Sequence, residues 1–324
     1  MRLNFKKGGY FMKKVITVVL IVLVSLGLMA GVLETTENLV AEKPYKIAVL
    51  LKTLANPFWI SMKQGVLDEA ERLGVQVDIY SVSTEGDIQG QLSIMETIVQ
   101  RGYDGIAFAP ITPTNLIPAI VKANKKGIPV VNLDESVDRE ALYKAGGSIV
   151  GFVTTNNFNV GKQAAHFVAE KIGGAGEVAV IEGMAGNKSG EDRKNGFLAG
   201  ISEYPEIKVV ASQPANWDRL MALDVAKNIL QRFPNLKAIY CANDTMALGA
   251  VQAVINAGKQ GKIIVVGTDG IPEALKAVKE GKLAATVAQD PYNIGVAGLR
   301  ILVFTLNAMN SEVPSKLITI ENIE

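Results

Sequence analysis

Residues 52–59, Lys-Thr-Leu-Ala-Asn-Pro-Phe-Trp, place an ammonium group, a carboxamide and two aromatic rings in one short segment. The apolar run 45–51 before it is typical of a buried strand, and Asn56 followed by Pro57 is typical of a helix start. In an open α/β sheet, a strand-to-helix turn lines the crevice at the carboxyl ends of the strands, where ligands bind. This turn is therefore predicted to form one wall of a binding site. Its candidate contacts are Lys52, Asn56, Phe58 and Trp59.

Planar amides, carboxylates, a guanidinium and another aromatic ring follow several of the other predicted strands. The further candidates are Asp134, Glu135, Arg193, Trp217, Asn243, Asp269 and Gln289. Planar polar groups pair with neighbouring hydroxyls, and aromatic faces cover apolar C–H surfaces. This mixture indicates a sugar as ligand. Each residue also has a structural explanation, in which Asn243 caps a helix, Asp269 forms a turn or Trp217 lies in the core.

Apolar runs alternate with amphipathic stretches, a pattern typical of βαβ units and parallel sheets. The predicted strands are 46–51, 75–80, 105–109, 129–132, 148–153, 177–181, 208–211, 238–240, 263–266 and 285–287. The predicted helices are 57–73, 87–100, 115–125, 158–172, 190–203, 219–232, 245–257, 272–279 and 291–307. So many strands favour two sheets, and the series divides around residues 153–157. We predict an α/β fold of two doubly wound parallel-sheet domains that face each other.

The chain begins with lysines followed by an apolar run at 15–30, which is typical of an export signal. The alternative is a retained membrane anchor, for which the run is short. We interpret residues 1–31 as a signal peptide and 32–44 as a polar leader. The net charge is +1, and loss of the first 31 residues, with five basic and no acidic side chains, leaves −4. An acidic body argues against nucleic acid as a partner.

Features that would indicate an enzyme are weak. The single histidine, His166, lies in a helical pattern and is predicted to have no cysteine or acidic partner, so we interpret it as structural. Cys241, the only cysteine, ends a strand and is expected to be a small buried residue. No glycine-rich phosphate or dinucleotide fingerprint follows a strand. We expect no catalytic residues, no metal and no cofactor.

Seven turns together resemble the periplasmic sugar-binding proteins of the ribose-binding type. They read KTLANPFW, VNLDE, GNKSGEDRKNG, ASQPANWDR, CANDTMALGA, VVGTDGIPEA and ATVAQDP. The resemblance extends from Tyr45 to about Gly298. It implies two similar domains joined by a three-crossing hinge, with the sugar held in the cleft by the candidate residues named above.

The resemblance also implies details of ligand and organisation. Lys52 and Glu135 are typical of the allose-binding branch, whereas the ribose branch has a small hydroxyl residue and arginine. Asn156 departs from the pattern, which has aspartate there. The implied domains are residues 45–153 with 290–312, and 154–289 with 313–324.

The implied function is capture of a monosaccharide, D-allose or a similar aldohexose, for an ABC permease and its ATPase. We expect an exported monomer, in the periplasm or at the outer face of the cell membrane. The alternatives are a receptor for ribose or another small polyol, the core of a sugar-responsive repressor, and a dinucleotide-dependent enzyme. The repressor would need a basic DNA-binding segment where the export signal stands.

Overall fold

The computed structural model describes residues 40–310 of the 324-residue chain. Four predicted features lie wholly or largely outside these residues. They are the signal peptide 1–31, most of the leader 32–44, the third crossing of the hinge and the segment 313–324 assigned to the second domain.

The first lobe is a five-stranded sheet with the order β2-β1-β3-β4-β5, in which every pairing is parallel. Along the chain it comprises β1 (Lys46–Thr53), α1 (Pro57–Leu73), β2 (Gln76–Val82), α2 (Ile88–Gln100), β3 (Gly105–Phe108), α3 (Ile117–Lys125), β4 (Val130–Leu133), α4 (Arg139–Lys144) and β5 (Gly151–Val153). The strands β1, β3 and β4 are apolar and almost completely buried because helices cover both faces of the sheet.

The second lobe repeats this design with a parallel sheet of order β10-β9-β8-β6-β7. It comprises α5 (Asn157–Lys171), β6 (Ala175–Glu182), α6 (Lys188–Ile201), β7 (Glu206–Pro214), α7 (Arg219–Arg232), β8 (Leu236–Cys241), α8 (Asp244–Asn256), β9 (Ile264–Asp269), α9 (Pro272–Lys279) and β10 (Ala285–Ala288). The stacked rings of Phe197 and Tyr240, with centroids 4.6 Å apart, lie in its core.

The last described helix, α10 (Pro291–Asn310), returns to the first lobe and packs on α1 and on β3, β4 and β5. Gly65 permits the close approach, since a Cβ atom there would lie 2.1 Å from the carbonyl oxygen of Tyr292. Arg300 of α10 pairs with the buried carboxylate of Glu69 on α1 at 2.8 Å. By length and composition α10 could cross a membrane, but it buries one face against this lobe.

The chain passes between the lobes at residues 154–156, between β5 and α5, and at 289–290, between β10 and α10. Asn156 caps α5 by accepting a hydrogen bond from the backbone N–H of Asn159 at 3.0 Å. Although Asn156 departs from the family pattern, which has aspartate at this position, it still caps the helix.

The predicted fold class is confirmed, and all ten predicted strands form. The prediction omitted α4, a six-residue helix that buries only Leu142 and so has no apolar period to detect. The strand predicted at 148–153 is shorter, because only Gly151–Val153 pairs with β4. His166 does have an acidic neighbour in space, since its Nε2 lies 3.0 Å from Glu203 on the protein surface.

Candidate functional site

The carboxyl ends of both sheets meet at a cavity between the lobes, with about 300 Å³ of empty space when its opening to solvent is included. Its lining is Lys52, Asn56, Phe58, Trp59, Glu85 and Asp134 from the first lobe, Ser189, Arg193, Trp217, Asn243 and Asp269 from the second, and Gln289 from a crossing. Ten of the eleven predicted site residues line it.

The loop after β1 is fixed by a hydrogen-bonded cluster around Glu85, which follows β2. Asn56 caps α1 by accepting from the backbone N–H of Phe58 at 3.0 Å, and its Nδ2 donates to Glu85 at 3.3 Å. The indole Nε1 of Trp59 donates to the same oxygen of Glu85 at 3.0 Å. The rings of Phe58 and Trp59 meet edge to face with centroids 5.0 Å apart. This wall is therefore rigid before any ligand enters.

Trp217 forms the aromatic wall of the second lobe and is almost fully buried. Its backbone has a φ of 66°, an uncommon left-handed conformation for a large residue. The indole lies directly over Gly183, where an added Cβ atom would come within 2.1 Å of the ring. The Arg193 guanidinium lies 5.8 Å from the ring centroid.

Asp134 supplies a buried acceptor with spare capacity. Its Oδ1 is buried and has no hydrogen-bond partner among residues 40–310. The backbone φ of 56° is held by two bonds, since Asp134 N–H donates to Val153 and Thr154 Oγ1 donates to the Asp134 carbonyl. Backbone strain of this kind is typical of functional positions. Burial raises the pKa of Asp134 to about 6, against the opposing effect of Lys52 and Arg193.

Arg193 and Asp269 face each other on the second lobe, with Arg193 Nη1 and Asp269 Oδ1 3.5 Å apart. Arg193 donates from Nε to Asn157 at 2.8 Å and from Nη1 to the carbonyl of Ala242 at 2.7 Å, so the direction of its side chain is fixed. Asp269 also accepts from Gln289 Nε2 at 2.6 Å. Burial raises the pKa of Asp269 well above its ordinary value even though Arg193 opposes it. The other amide atom, Gln289 Oε1, is buried without a hydrogen-bond partner among the described residues.

Asn243 caps a helix and also lies at the cavity. Its side-chain oxygen caps α8 by accepting from the backbone N–H of Met246 at 2.8 Å, and the same residue lines the cavity. The neighbouring Asp244 does not face the cavity, since it accepts from Gly270 N–H at 2.7 Å and Thr286 Oγ1 at 2.7 Å. Burial raises its pKa to about 6.

Glu135 is the one predicted contact that does not line the cavity. It is completely buried, 3.7 Å from the ammonium group of Lys52, which does line the cavity. The prediction placed both side chains of the Asp134-Glu135 pair at the ligand. Successive residues of this turn point in different directions, and the structure directs only Asp134 into the cavity.

Glu85 and Ser189 also line the cavity but are not among the residues predicted from the sequence. Glu85 follows the second strand, so it could have been found by examining that turn as the others were. Ser189 lies in the first turn of α6 within a quoted turn motif, but a serine at a helix start is usually a capping residue. Asn187 was also missed as a bridge between the lobes, since its Nδ2 donates to the carbonyl of Ile111 at 2.7 Å.

The cavity combines fixed donors on Lys52, Arg193 and Asn243, unpaired acceptors on Asp134 and Gln289, and aromatic walls from both lobes. Such a set can hydrogen-bond several neighbouring hydroxyls and cover an apolar ring face. It suits a small, uncharged ligand with many hydroxyl groups.

Comparisons with known proteins lead in the same direction. Residues 47–308 match the family described as periplasmic binding protein domain. The D-allose-binding periplasmic protein of Escherichia coli K12 is 55% identical over 278 residues, 86% of this chain and 88% of that protein. The ribose import binding protein of Bacillus subtilis is 37% identical over 254 residues, 78% of this chain and 79% of that protein.

A solved structure shows the same architecture with a ligand. It is an ABC transporter periplasmic solute-binding protein of Actinobacillus succinogenes 130z with bound D-allose. It superimposes with a TM-score of 0.78 at 41% identity, and covers 84% of this chain and 94% of that one.

Proposed function

The chain belongs to the periplasmic binding protein family, and from this premise we propose that it captures a monosaccharide, D-allose or a similar aldohexose, and delivers it to an ABC importer. In this proposal the protein is an exported monomer that works in the periplasm or at the outer face of the membrane, with a permease and its ATPase as partners. It binds its sugar and does not transform it.

One observation carries the choice of ligand class. Two buried acceptors, Asp134 Oδ1 and Gln289 Oε1, have no hydrogen-bond partner in the part of the chain that the structure describes, and they adjoin a cavity with aromatic walls. A buried polar atom without a partner is costly, and sugar hydroxyls would satisfy both. A cationic ligand would meet Lys52 and Arg193 in the same cavity, so a neutral polyhydroxyl ligand fits better.

The choice of an aldohexose rests on Lys52 and on the E. coli and A. succinogenes relatives. The B. subtilis ribose protein supports the second candidate, a receptor for ribose or a small polyol. Sites that hydrogen-bond a hydroxyl discriminate strongly against ligands that lack it. The two candidate functions therefore predict measurably different affinities for an aldohexose and for ribose.

Calorimetric titration with allose, ribose, glucose, galactose and psicose tests the proposal. We expect saturable binding, with allose or another aldohexose tightest. Tightest binding of ribose would select the second candidate, and the absence of heat with every sugar would contradict both.

A further inference from the structure

The carboxylate of Glu135, in the first lobe, contacts the start of α6 in the second lobe. Its Oε1 accepts from the backbone N–H of Lys188 at 2.6 Å, and its Oε2 accepts from Ser189 Oγ at 2.5 Å. A longer contact of 3.4 Å joins Oε1 to the backbone N–H of Ser189. Glu135 thus occupies the place of a helix cap, but it comes from the other side of the cleft.

The residue that would ordinarily cap α6 is engaged elsewhere. Asn187 stands at the N-cap position, and its side chain makes no capping bond. Instead its Nδ2 donates to the carbonyl of Ile111 in the first lobe, and its Oδ1 accepts from the Trp217 indole at 2.8 Å. Asparagine is among the strongest N-caps, and the first N–H groups of a helix need partners. Glu135 provides them here.

We propose that Glu135 is a positioning residue that caps α6 across the cleft and so stabilises the closed arrangement of the lobes. The inference deepens the proposed function and rests on it, because it assigns a role in closure around the same sugar site. Bonds to a carboxylate are stronger than neutral ones, and the positive end of the helix dipole favours the charge. Every one of these bonds is lost when the lobes separate, so they favour only the closed state.

Glu135 also couples this contact to the sugar cavity. Its Oε2 lies 3.7 Å from the ammonium group of Lys52, which lies 5.6 Å from the Trp59 ring centroid. On the other lobe, Asn187 joins the same helix start to Trp217. Closure of the lobes therefore fixes the positions of two lining side chains, Lys52 in the first lobe and Trp217 in the second. A sugar held in this way leaves only after the lobes open, so a weaker cap should raise its dissociation rate and change its association rate little.

Residue 188 offers a test with a matched control. Lys188 is the first residue of α6, where proline is well tolerated. Asn187 before it has φ −74° and ψ 124°, which proline accepts in the preceding residue. Lys188→Pro and Lys188→Ala both remove the exposed ion pair with Asp192. Only Lys188→Pro removes the N–H that donates to Glu135.

Stopped-flow fluorescence follows sugar release through Trp59 and Trp217, the two tryptophans of the chain, which both line the cavity. We expect Lys188→Pro to release D-allose about tenfold faster than Lys188→Ala, the effect of losing one hydrogen bond to a charged group. Lys188→Ala should match the wild type. Equal release rates for the two variants would overturn the proposal.

Two further pairs of variants cover the case in which Lys188→Pro fails to fold. Ser189→Ala and Glu135→Gln weaken the contact between lobes, and Ser212→Ala and Glu182→Gln weaken a similar contact of 2.6 Å within the second lobe. Only Ser189→Ala and Glu135→Gln should speed sugar release. The double variant that carries both changes should speed release by less than the product of the two single effects, because the two residues share one contact. Faster release in the Ser212 and Glu182 variants as well would contradict a specific role.

Failure of the proposed function remains distinguishable from failure of this inference. If the wild type binds no sugar, the proposed function is wrong, and closure is measured by small-angle scattering of the sugar-free proteins. The inference then predicts a larger radius of gyration for Lys188→Pro than for Lys188→Ala. Equal radii would overturn it.

Discussion

The indole Nε1 of Trp217 donates a hydrogen bond of 2.8 Å to the side chain of Asn187, the residue that precedes α6. Asn187 in turn donates to the carbonyl of Ile111 in the opposite lobe. The aromatic wall of one lobe is thus held by the contact that joins the two lobes. Because Gly183 leaves room for the ring, the indole has one well-defined position.

The first prediction concerns this ring. Trp217→Ala should weaken sugar binding by about 2–4 kcal/mol, the range for a central aromatic anchor. Trp217→Phe keeps an aromatic face but loses the bond to Asn187, so its loss should be smaller. Calorimetry measures both. The exposed Phe158 provides a control in Phe158→Ala, which should bind normally. Normal binding by Trp217→Ala would show that the ring is only part of the core.

The second prediction concerns the buried charges. Asp134→Asn and Arg193→Ala should each lower sugar affinity by at least about tenfold, because each leaves a hydrogen-bonding group without its partner. Asp138 lies four residues after Asp134, is exposed and caps α4. Asp138→Asn keeps a good cap and should not change affinity. Wild-type affinity in both site variants would contradict their assignment as contacts.

Much of this architecture is predictable from the sequence because parallel strands buried on both faces are continuous apolar runs. The strands β1 and β6 are examples, and each is followed by a turn whose polar residues must lie at the same edge. The family resemblance is confirmed by the match over residues 47–308. The assignment of individual residues as sugar contacts stays a prediction, although the structure brings ten of the eleven to one cavity.

The role of Glu135 could not be predicted in the same way. Its partners Lys188 and Ser189 are 53 and 54 residues away in the sequence and lie on the other lobe. The local sequence pattern predicts that a helix begins near Asn187. Whether a carboxylate approaches that helix from the opposite lobe depends on how the two lobes meet. The direction in which each side chain of a turn points is also not predictable from local sequence. For this reason the sequence predicts a ligand contact for Glu135 as well as for Asp134.

The third prediction concerns pH. The pKa of Asp134 is raised to about 6 by burial, and a sugar hydroxyl that donates to the carboxylate favours its ionised form. Binding at about pH 6 should therefore release protons, and affinity should fall as pH is lowered through about 6. Calorimetry in buffers of different ionisation enthalpy measures the released protons. Asp134→Asn should release fewer than the wild type, and an equal number would assign the titration to other groups such as Asp269, whose pKa is also raised.

The sugar-free protein should show the opposite dependence. A carboxyl group whose folded-state pKa lies above its unfolded value contributes stability at low pH that is lost as pH rises through the folded pKa. For Asp134 this loss occurs between about pH 4 and about pH 6. Above that range, Asp134→Asn should have a higher free energy of unfolding than the wild type, which denaturant titration measures. A less stable variant would contradict the raised pKa.

The fourth prediction separates the roles of Lys52 and Glu135. Lys52 lines the cavity, so Lys52→Ser should change the ratio of hexose to ribose affinity. Glu135→Arg would place a cation at the positive end of α6 and beside Lys52, so it should weaken both sugars by more than it changes their ratio. Competition titrations measure the ratio. A changed ratio in Glu135→Arg alone would make Glu135 a specificity residue.

The sugar is expected to bind between the lobes and to shift the protein to the closed state. Lining residues come from both lobes, so a sugar contacts all of them only when the cleft is closed. The crossings at 154–156 and 289–290 are short, as expected of a hinge. Small-angle scattering tests this most directly, with saturation checked by calorimetry. Closure around the sugar should give a smaller radius of gyration with saturating D-allose and no change with a sugar that does not bind. Identical scattering with and without saturating D-allose would contradict it.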